Sequence, residues 1–352
     1  LKPKNANTKI KTDIWFKTLC AINTITHTDP IPYGSVVQKY NEISSGRLYT
    51  EGNFGIQNWP KHIRHLLLSG MNYYDYDFVS CHFNTLEQLN THYGGKHLAA
   101  VSEYNQNVTN IRNQIAKDCG IPLPNAKKLM LAIVYGASIN SKVVLNRDPK
   151  SKRMRKPSDL WLNCLELSYG DEAYANQIWE NITKNEMIKD LHKDVKKASK
   201  TILNNAVTKG KGKREYIKNH YDRWLGKYQT IGGKVFERTP SQLLSHMLCG
   251  MEAFMVSEVA LTLNNANSTL FIANFHDGFI SNGQIDKEHY EEIIYIVTQK
   301  RLTEYDGKLA DKGIVMKIDG GALNDPFKSN GVKPQIRSTK EADLPFDQFL
   351  PN

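Results

Sequence analysis

Residues 71–80, Met71-Asn72-Tyr73-Tyr74-Asp75-Tyr76-Asp77-Phe78-Val79-Ser80, set the frame for the rest of the chain. The run is aromatic-rich and alternating, which predicts a β-strand. On a strand successive side chains point to opposite faces, so Tyr73, Asp75, Asp77 and Val79 share one. A second segment has the same character. Leu270–Phe275 and Gly278–Ser281 read as strands joined at His276-Asp277-Gly278, and Asp-Gly is a strong hairpin signal. Either aspartate alone reads as a turn or cap residue. Together, carboxylates on adjacent strands can clamp the two divalent cations that nucleotidyl transfer to a 3′-hydroxyl requires, and strand ends hold such ligands rigidly.

The remaining elements follow from periodicity and punctuation. A short helix is expected near Trp15–Ile25, and helical pattern runs through 84–118. Pro122 and Pro124 mark a break, after which Asn125 reads as the N-cap of a helix from Ala126 to Val134. Residues 145–157 form a basic loop bounded by proline. Residues 158–206 are helical and lysine-rich, and 208–214 (Thr-Lys-Gly-Lys-Gly-Lys-Arg) reads as a second basic, flexible loop. Pro240 fits the first turn of a helix reaching about Asn264. Residues 287–306 read as a helix, Ile314–Ile318 as a last strand, and 326–352 as a polar tail.

Composition narrows the partners. The 352 residues carry 46 Lys plus Arg against 36 Asp plus Glu, a formal charge of +10, which favours a polyanionic partner. The basic segments 147–156 and 209–214 have the composition of phosphate-tracking loops. Cysteines stand at 20, 81, 119, 164 and 249, an odd set without a C-x-x-C pair. That argues against a disulfide framework or a cysteine-held zinc, and for a reducing, intracellular setting. No run of about 18 apolar residues and no signal peptide is visible, so no membrane span is expected.

Between the two aspartate segments lies Lys127-Lys128-Leu-Met-Leu-Ala-Ile-Val-Tyr135-Gly136. Lys127 and Tyr135 are two helical turns apart on one face. A lysine there can meet triphosphate oxygens, an aromatic can stack on a base, and Gly136 permits close backbone approach. The same spacing also describes an ordinary amphipathic helix.

The ordered set resembles the family A (Pol I-like) DNA polymerases and their relatives, the single-subunit phage-type RNA polymerases. Ser45-Gly46-Arg47-Leu48, Asn53 to Pro60 with Gln57, and Ile63-Arg64 resemble the stretch before that family's first catalytic strand. Asp77-Phe78 is similar to its motif A, Lys127 with Tyr135-Gly136 to motif B, and His276-Asp277 to motif C. Val315 to Asn324 resembles its closing strand. The resemblance covers about residues 44–326. It implies an α+β right hand: palm in 44–100 and 236–326, helical fingers in 101–235, a segment at 1–43 as a thumb remnant, and a tail at 327–352.

It further implies a metal site of Asp77, Asp277 and the Phe78 carbonyl holding two Mg²⁺, with Mn²⁺ as a substitute. Lys127, Tyr135, His82 and Lys128 would meet the nucleotide. Arg47, Gln57, Arg64, Arg238, Gln242, His246 and His276 would grip primer and template, with Arg238, Gln242 and His246 at i, i+4 and i+8 of the helix between. The partners implied are a DNA primer–template, with RNA as the alternative, nucleoside triphosphates, and a processivity or replication partner. A phage, plasmid or other mobile element is the setting such an enzyme would suit.

Departures from the pattern qualify this. His82 stands where the family carries a sugar-excluding glutamate, Leu131 replaces an aromatic, and Leu123 occupies an arginine position. Asp75 is a rival to Asp77. The expected activity is therefore DNA-templated DNA synthesis. An rNTP-using RNA polymerase or primase, and an inactive nucleic-acid-binding module, remain the alternatives. About 40 residues precede Gly46-Arg47, which leads us to expect neither a promoter-reading domain nor a proofreading exonuclease.

Overall fold

The computed structural model describes residues 40–51, 55–59, 64–65, 68, 72–145, 155–209, 215–231, 234–265, 270–306 and 310–323. The expected helix near Trp15–Ile25, the tail from 326 and most of both basic loops lie outside the described residues.

A short hairpin opens the described chain, β1 (Tyr40–Glu42) with β2 (Leu48–Thr50). The aromatic run forms β3 (Tyr73–Phe78). The region read as one helical stretch is three helices, α1 (Cys81–His92), α2 (Ala99–Gln106) and α3 (Val108–Cys119). Gly94 adopts a left-handed φ of +72°, which ends α1. The next helix, α4 (Leu123–Val134), begins before the expected Asn125 cap, with Pro122 as its N-cap. Pro124 sits in its first turn, where a missing N–H costs nothing.

Strands β4 (Val143–Leu145) and β5 (Arg155–Pro157) flank the basic segment between them. Helices α5 (Asp159–Leu167), α6 (Glu172–Lys184) and α7 (Glu186–Ala206) follow, capped at their N-termini by Ser158, Asp171 and Asn185 side chains. Residues 207–237, of which the sequence reading assigned only 208–214, as a loop, contain small sheets: β6 (Val207–Lys209), β7 (Glu215–Lys218) and β8 (Trp224–Gly226), beside the hairpin of β9 (Tyr228–Ile231) and β10 (Lys234–Glu237).

The chain closes with α8 (Pro240–Asn265), β11 (Leu270–Asn274), β12 (Gly278–Asn282), α9 (Lys287–Asp306) and β13 (Ile318–Ala322). The last strand starts where the sequence reading ended it. Its pairing with β3, Ile318 opposite Phe78 and Ala322 opposite Tyr74, sets that register. Gly320 is required there: at φ +126° a Cβ would lie 2.1 Å from the Asp75 carbonyl oxygen.

The architecture is mixed, with helices packed around a four-stranded antiparallel sheet in the order β11-β12-β3-β13. One sheet face sends Tyr76, Phe78 and Phe279 into the main core. Fully burying Tyr76 or Phe279 contributes roughly 2–3 kcal/mol. The other face packs Ala273 and Ile280 against Ile56, Trp59, Leu68 and Leu323. Helix α8 runs through the main core, with Leu244, Met247, Met251, Met255 and Val259 inaccessible to solvent. It is the one helix among the described residues long and apolar enough to cross a membrane, and 67% of its most apolar window is buried within the molecule, as in a core helix. Cys81, Cys119, Cys164 and Cys249 are free and buried.

Candidate active site

Two sharp turns build the site. The first joins β3 to α1. Ser80 takes a left-handed φ of +49°, its carbonyl accepts Asn84 N–H, and the Asn84 amide donates to the Val79 carbonyl at 2.8 Å. Asp77 is thereby left at the strand end, and His82 enters the first helical turn. The second turn joins β11 to β12. Asn274 Oδ1 accepts His276 N–H at 2.8 Å, and His276 sits at φ +72°. The Asp277 carbonyl accepts Phe78 N–H at 2.7 Å, tying the two turns together.

Gly278 pairs with Asp77 across the strands. A Cβ at 278 would lie 2.2 Å from Asp77 Oδ1 and 2.6 Å from the Tyr76 carbonyl oxygen, so glycine alone leaves room for the Asp77 carboxylate. Gly278→Ala is expected to cost about 1–3 kcal/mol of stability and to displace Asp77. Thermal unfolding combined with an activity assay checks this, and full activity with an unchanged Tm would refute it.

Both aspartates open into a cleft of about 540 Å³. Asp77, Asp277 and Asp319 line it together with the cations Arg112, Lys127 and Lys128, and His82, Phe83 and Leu131 belong to the same lining. Asp319 pairs with Asp77 from the opposite strand, β13. Asp75, the rival ligand, is not part of this lining; its carboxylate lies 3.6 Å from His65 Nε2. Burial, then the Glu252 charge, hold the Asp277 carboxyl above the ordinary range, opposed by His82 and Lys127.

Among the described residues no three His, Cys, Asp or Glu side chains converge as a complete metal cage. Two carboxylates beside an open cleft are nevertheless a donor set that fits Mg²⁺, a hard cation commonly held by one or two carboxylates plus substrate phosphates. A buried carboxylate that protein cations compensate incompletely is consistent with such a ligand.

Beside the cleft lies a polar cluster that the sequence reading did not foresee. Glu252 of α8, with no solvent exposure, accepts from Arg47 Nε at 2.7 Å and Nη2 at 2.6 Å. Its Oε2 also lies 2.6 Å from His82 Nε2. The Tyr135 hydroxyl accepts from Arg47 Nη2 at 3.2 Å, contacts both His82 nitrogens at 3.2–3.3 Å, and meets Cys249 Sγ at 3.7 Å. Burial alone would lower the His82 pKa, but the Glu252 carboxylate, aided by Cys249, raises it to about 9. One signal was present in the sequence: a single glutamate in the apolar run Met251-Glu252-Ala253-Phe254-Met255-Val256 needs buried partners.

No protein-family model and no curated protein matches the sequence. Among solved structures the chain is similar to the POL domain of Pol1 from M. smegmatis, determined in complex with DNA primer-template and dNTP. The identity is 12% and the TM-score 0.46, over 89% of this chain and 51% of that one. The chain thus spans about half the length of that neighbour.

The residues expected to hold nucleic acid are used internally. The Arg47 guanidinium is bound to Glu252. Gln57 donates to the Leu48 and Asn274 carbonyls and accepts Thr50 N–H. Arg64 lies 4.1 Å over the Phe275 ring. His276 packs 4.5 Å from Tyr49. Arg238 Nη1 donates to the Gly226 and Tyr228 carbonyls, Gln242 accepts Thr239 N–H, and His246 Nε2 contacts the Arg223 carbonyl.

The expected i, i+4, i+8 spacing does not fall on one helix, because Arg238 precedes α8, which begins at Pro240. Ser241 Oγ donates to the Gly136 carbonyl, and Ser245 Oγ meets Cys249 Sγ at 3.7 Å. Lys127 and Tyr135 also separate: Lys127 lines the cleft, while Tyr135 is the C-cap of α4 and belongs to the Glu252 cluster.

Proposed function

We propose that the protein is a template-directed nucleotidyltransferase that extends a nucleic-acid strand, with DNA as the favoured product. The observation that carries this reading is a single cleft lined both by Asp77 and Asp277, from paired strands, and by Lys127 and Lys128 of α4. In this reading the sheet and α1 belong to the palm and helices α2 to α7 to the fingers.

The 3′-hydroxyl oxygen of the growing strand attacks the α-phosphorus of the incoming nucleotide. The new P–O bond forms as the bond to the β-phosphate oxygen breaks, the hydroxyl proton passes to solvent, and pyrophosphate leaves. Asp77 and Asp277, with the Phe78 carbonyl, would hold divalent cations, whose chemistry there is to activate the hydroxyl and neutralise the leaving charge. Lys127 and Lys128 draw in the triphosphate as point charges. His82, which lines the same cleft, would meet the sugar in this reading, so sugar choice is the property on which DNA and RNA synthesis would differ.

A primer-extension assay in Mg²⁺ and in Mn²⁺ tests this, comparing dNTPs with rNTPs on primed and unprimed templates. Template-dependent extension of a primer by dNTPs is the expected result. Extension by rNTPs, or without primer, would move the reading to an RNA polymerase or primase. Nucleic-acid binding without extension under any of these conditions would sink the enzymatic reading and leave a binding module.

A further inference from the structure

Arg112 is a cleft-lining cation that no motif singled out. It lies on α3, and its Nε donates to the Tyr104 hydroxyl at 2.7 Å, with the guanidinium 5.6 Å from the centre of that ring. Tyr104 has no solvent exposure, so the arginine head is held by a fixed group. Among the described residues, Arg47, Arg223 and Arg301 each pair with a carboxylate, whereas Arg112 pairs with none. Its two Nη groups make no hydrogen bond to another described residue. A guanidinium fixed through one N–H, with its fork otherwise uncommitted in a cleft, is suited to a bidentate anion.

The space around it has a matching shape. A recess of about 330 Å³ adjoins the cleft, lined by Thr109, Arg112, Leu123, Pro124 and Lys127. Four of these residues, Thr109, Arg112, Pro124 and Lys127, also line the cleft itself. The carboxylates line only the cleft, whereas two cations from different helices, α3 and α4, line both the cleft and its side recess. Leu123 gives its turn of α4 no cation, and Arg112 faces the same recess from α3. A ligand with one reactive phosphate at the carboxylates and a tail of further phosphates in the carboxylate-free recess fits this arrangement. A single phosphodiester of a template strand needs no such recess.

We propose that Arg112 is a phosphate-binding residue that grips the β- and γ-phosphates of the incoming nucleotide together with Lys127, and that Tyr104 is the positioning residue that aims it. This rests on the reading of the cleft as a nucleotidyl-transfer site. The Arg112 fork takes two phosphate oxygens while Lys127 contributes a point charge, and both remain with the pyrophosphate once the bond to the α-phosphate is broken.

The test is steady-state primer extension at saturating primer–template, with Arg112→Ala, Arg112→Lys and Tyr104→Phe. Arg112→Ala is expected to raise the nucleotide KM roughly 10- to 100-fold while kcat falls less, and to weaken inhibition by inorganic pyrophosphate by a similar factor. Arg112→Lys should recover part of the loss, because charge returns without the fork. Tyr104→Phe should give a smaller KM rise. Unchanged nucleotide KM and pyrophosphate inhibition in Arg112→Ala would overturn the proposal, as would a loss confined to the Kd of primer–template. Calorimetric titration of pyrophosphate in Mg²⁺ separates this from the broader reading. Binding that Arg112→Ala loses supports the phosphate site even where no extension is seen, and binding that it retains refutes it.

Discussion

Asp277→Asn should abolish strand extension without weakening the fold. The substitution keeps the shape of the side chain and removes its charge. If Asp277 holds a catalytic cation, extension should fall by at least about a thousandfold, roughly 4 kcal/mol of transition-state stabilisation. The stability expectation runs the other way. Burial and the nearby Glu252 disfavour the Asp277 carboxylate, so neutralising it relieves an unfavourable interaction. The Tm should therefore hold or rise. A structural carboxylate that anchored the hairpin would do the reverse, losing stability on replacement. The hairpin here is closed instead by backbone bonds and by Asn274. Extension in Mg²⁺ and thermal unfolding, measured on the same preparation, decide the matter. Activity within tenfold of the parent would remove Asp277 from the chemistry, and a clearly lowered Tm would make it structural. Asp77→Asn should behave alike in activity, whereas Asp75→Asn, outside the cleft, should not.

The parts of this site that could be read in advance are those set by local sequence. Alternation and the Asp-Gly turn locate β3 and the β11–β12 hairpin because both signals act within a few residues. Pro240 marks the start of α8 for the same reason. The strands between α7 and α8 were hidden because their stability is tertiary. Asn219, with no solvent exposure, donates to the carbonyls of Ser45 and His246, and Arg301 Nε donates to the His220 carbonyl. A lysine- and glycine-rich composition reads as loop when those anchors are unknown. Strand β13 was displaced by four residues because Gly320 and Gly321 lower strand propensity, yet the close approach to β3 requires a glycine at 320. Arg238 was read onto α8 although the helix begins at Pro240, because a largely apolar helix carries no amphipathic phase by which to fix its boundary and orientation. Glu252 was invisible as a partner because Arg47 lies 205 residues away along the chain.

That buried glutamate supports the second large expectation. Glu252→Gln should destabilise the protein by about 3–5 kcal/mol, because it leaves the Arg47 guanidinium and His82 without their counterion in a site that excludes water. The fall in Tm should be on the order of 10 °C. Lost packing alone would give far less, since glutamine has nearly the same volume. A pH series distinguishes the charge explanation. In the folded protein His82 keeps its proton to about pH 9, against about 6.5 in an unfolded chain. Its contribution is therefore fully present below about pH 6.5 and is lost as pH rises toward 9, at most about 3 kcal/mol in all. The groups facing the ring are Glu252, Arg47, Tyr135 and Cys249. Tyr135 is raised by burial and by Cys249, and stays protonated across this window. Burial opposes ionisation of Cys249, but His82 and Arg47 draw its pKa below the usual value, so its linkage has the opposite sign. A parallel series on Cys249→Ala isolates the histidine. The parent should lose Tm between pH 6.5 and 9, and Glu252→Gln should show a flat profile, since without the carboxylate burial keeps His82 neutral in both halves of the range. A variant with the parent's slope, or one with an unchanged Tm, would show that the cluster does not depend on its central charge.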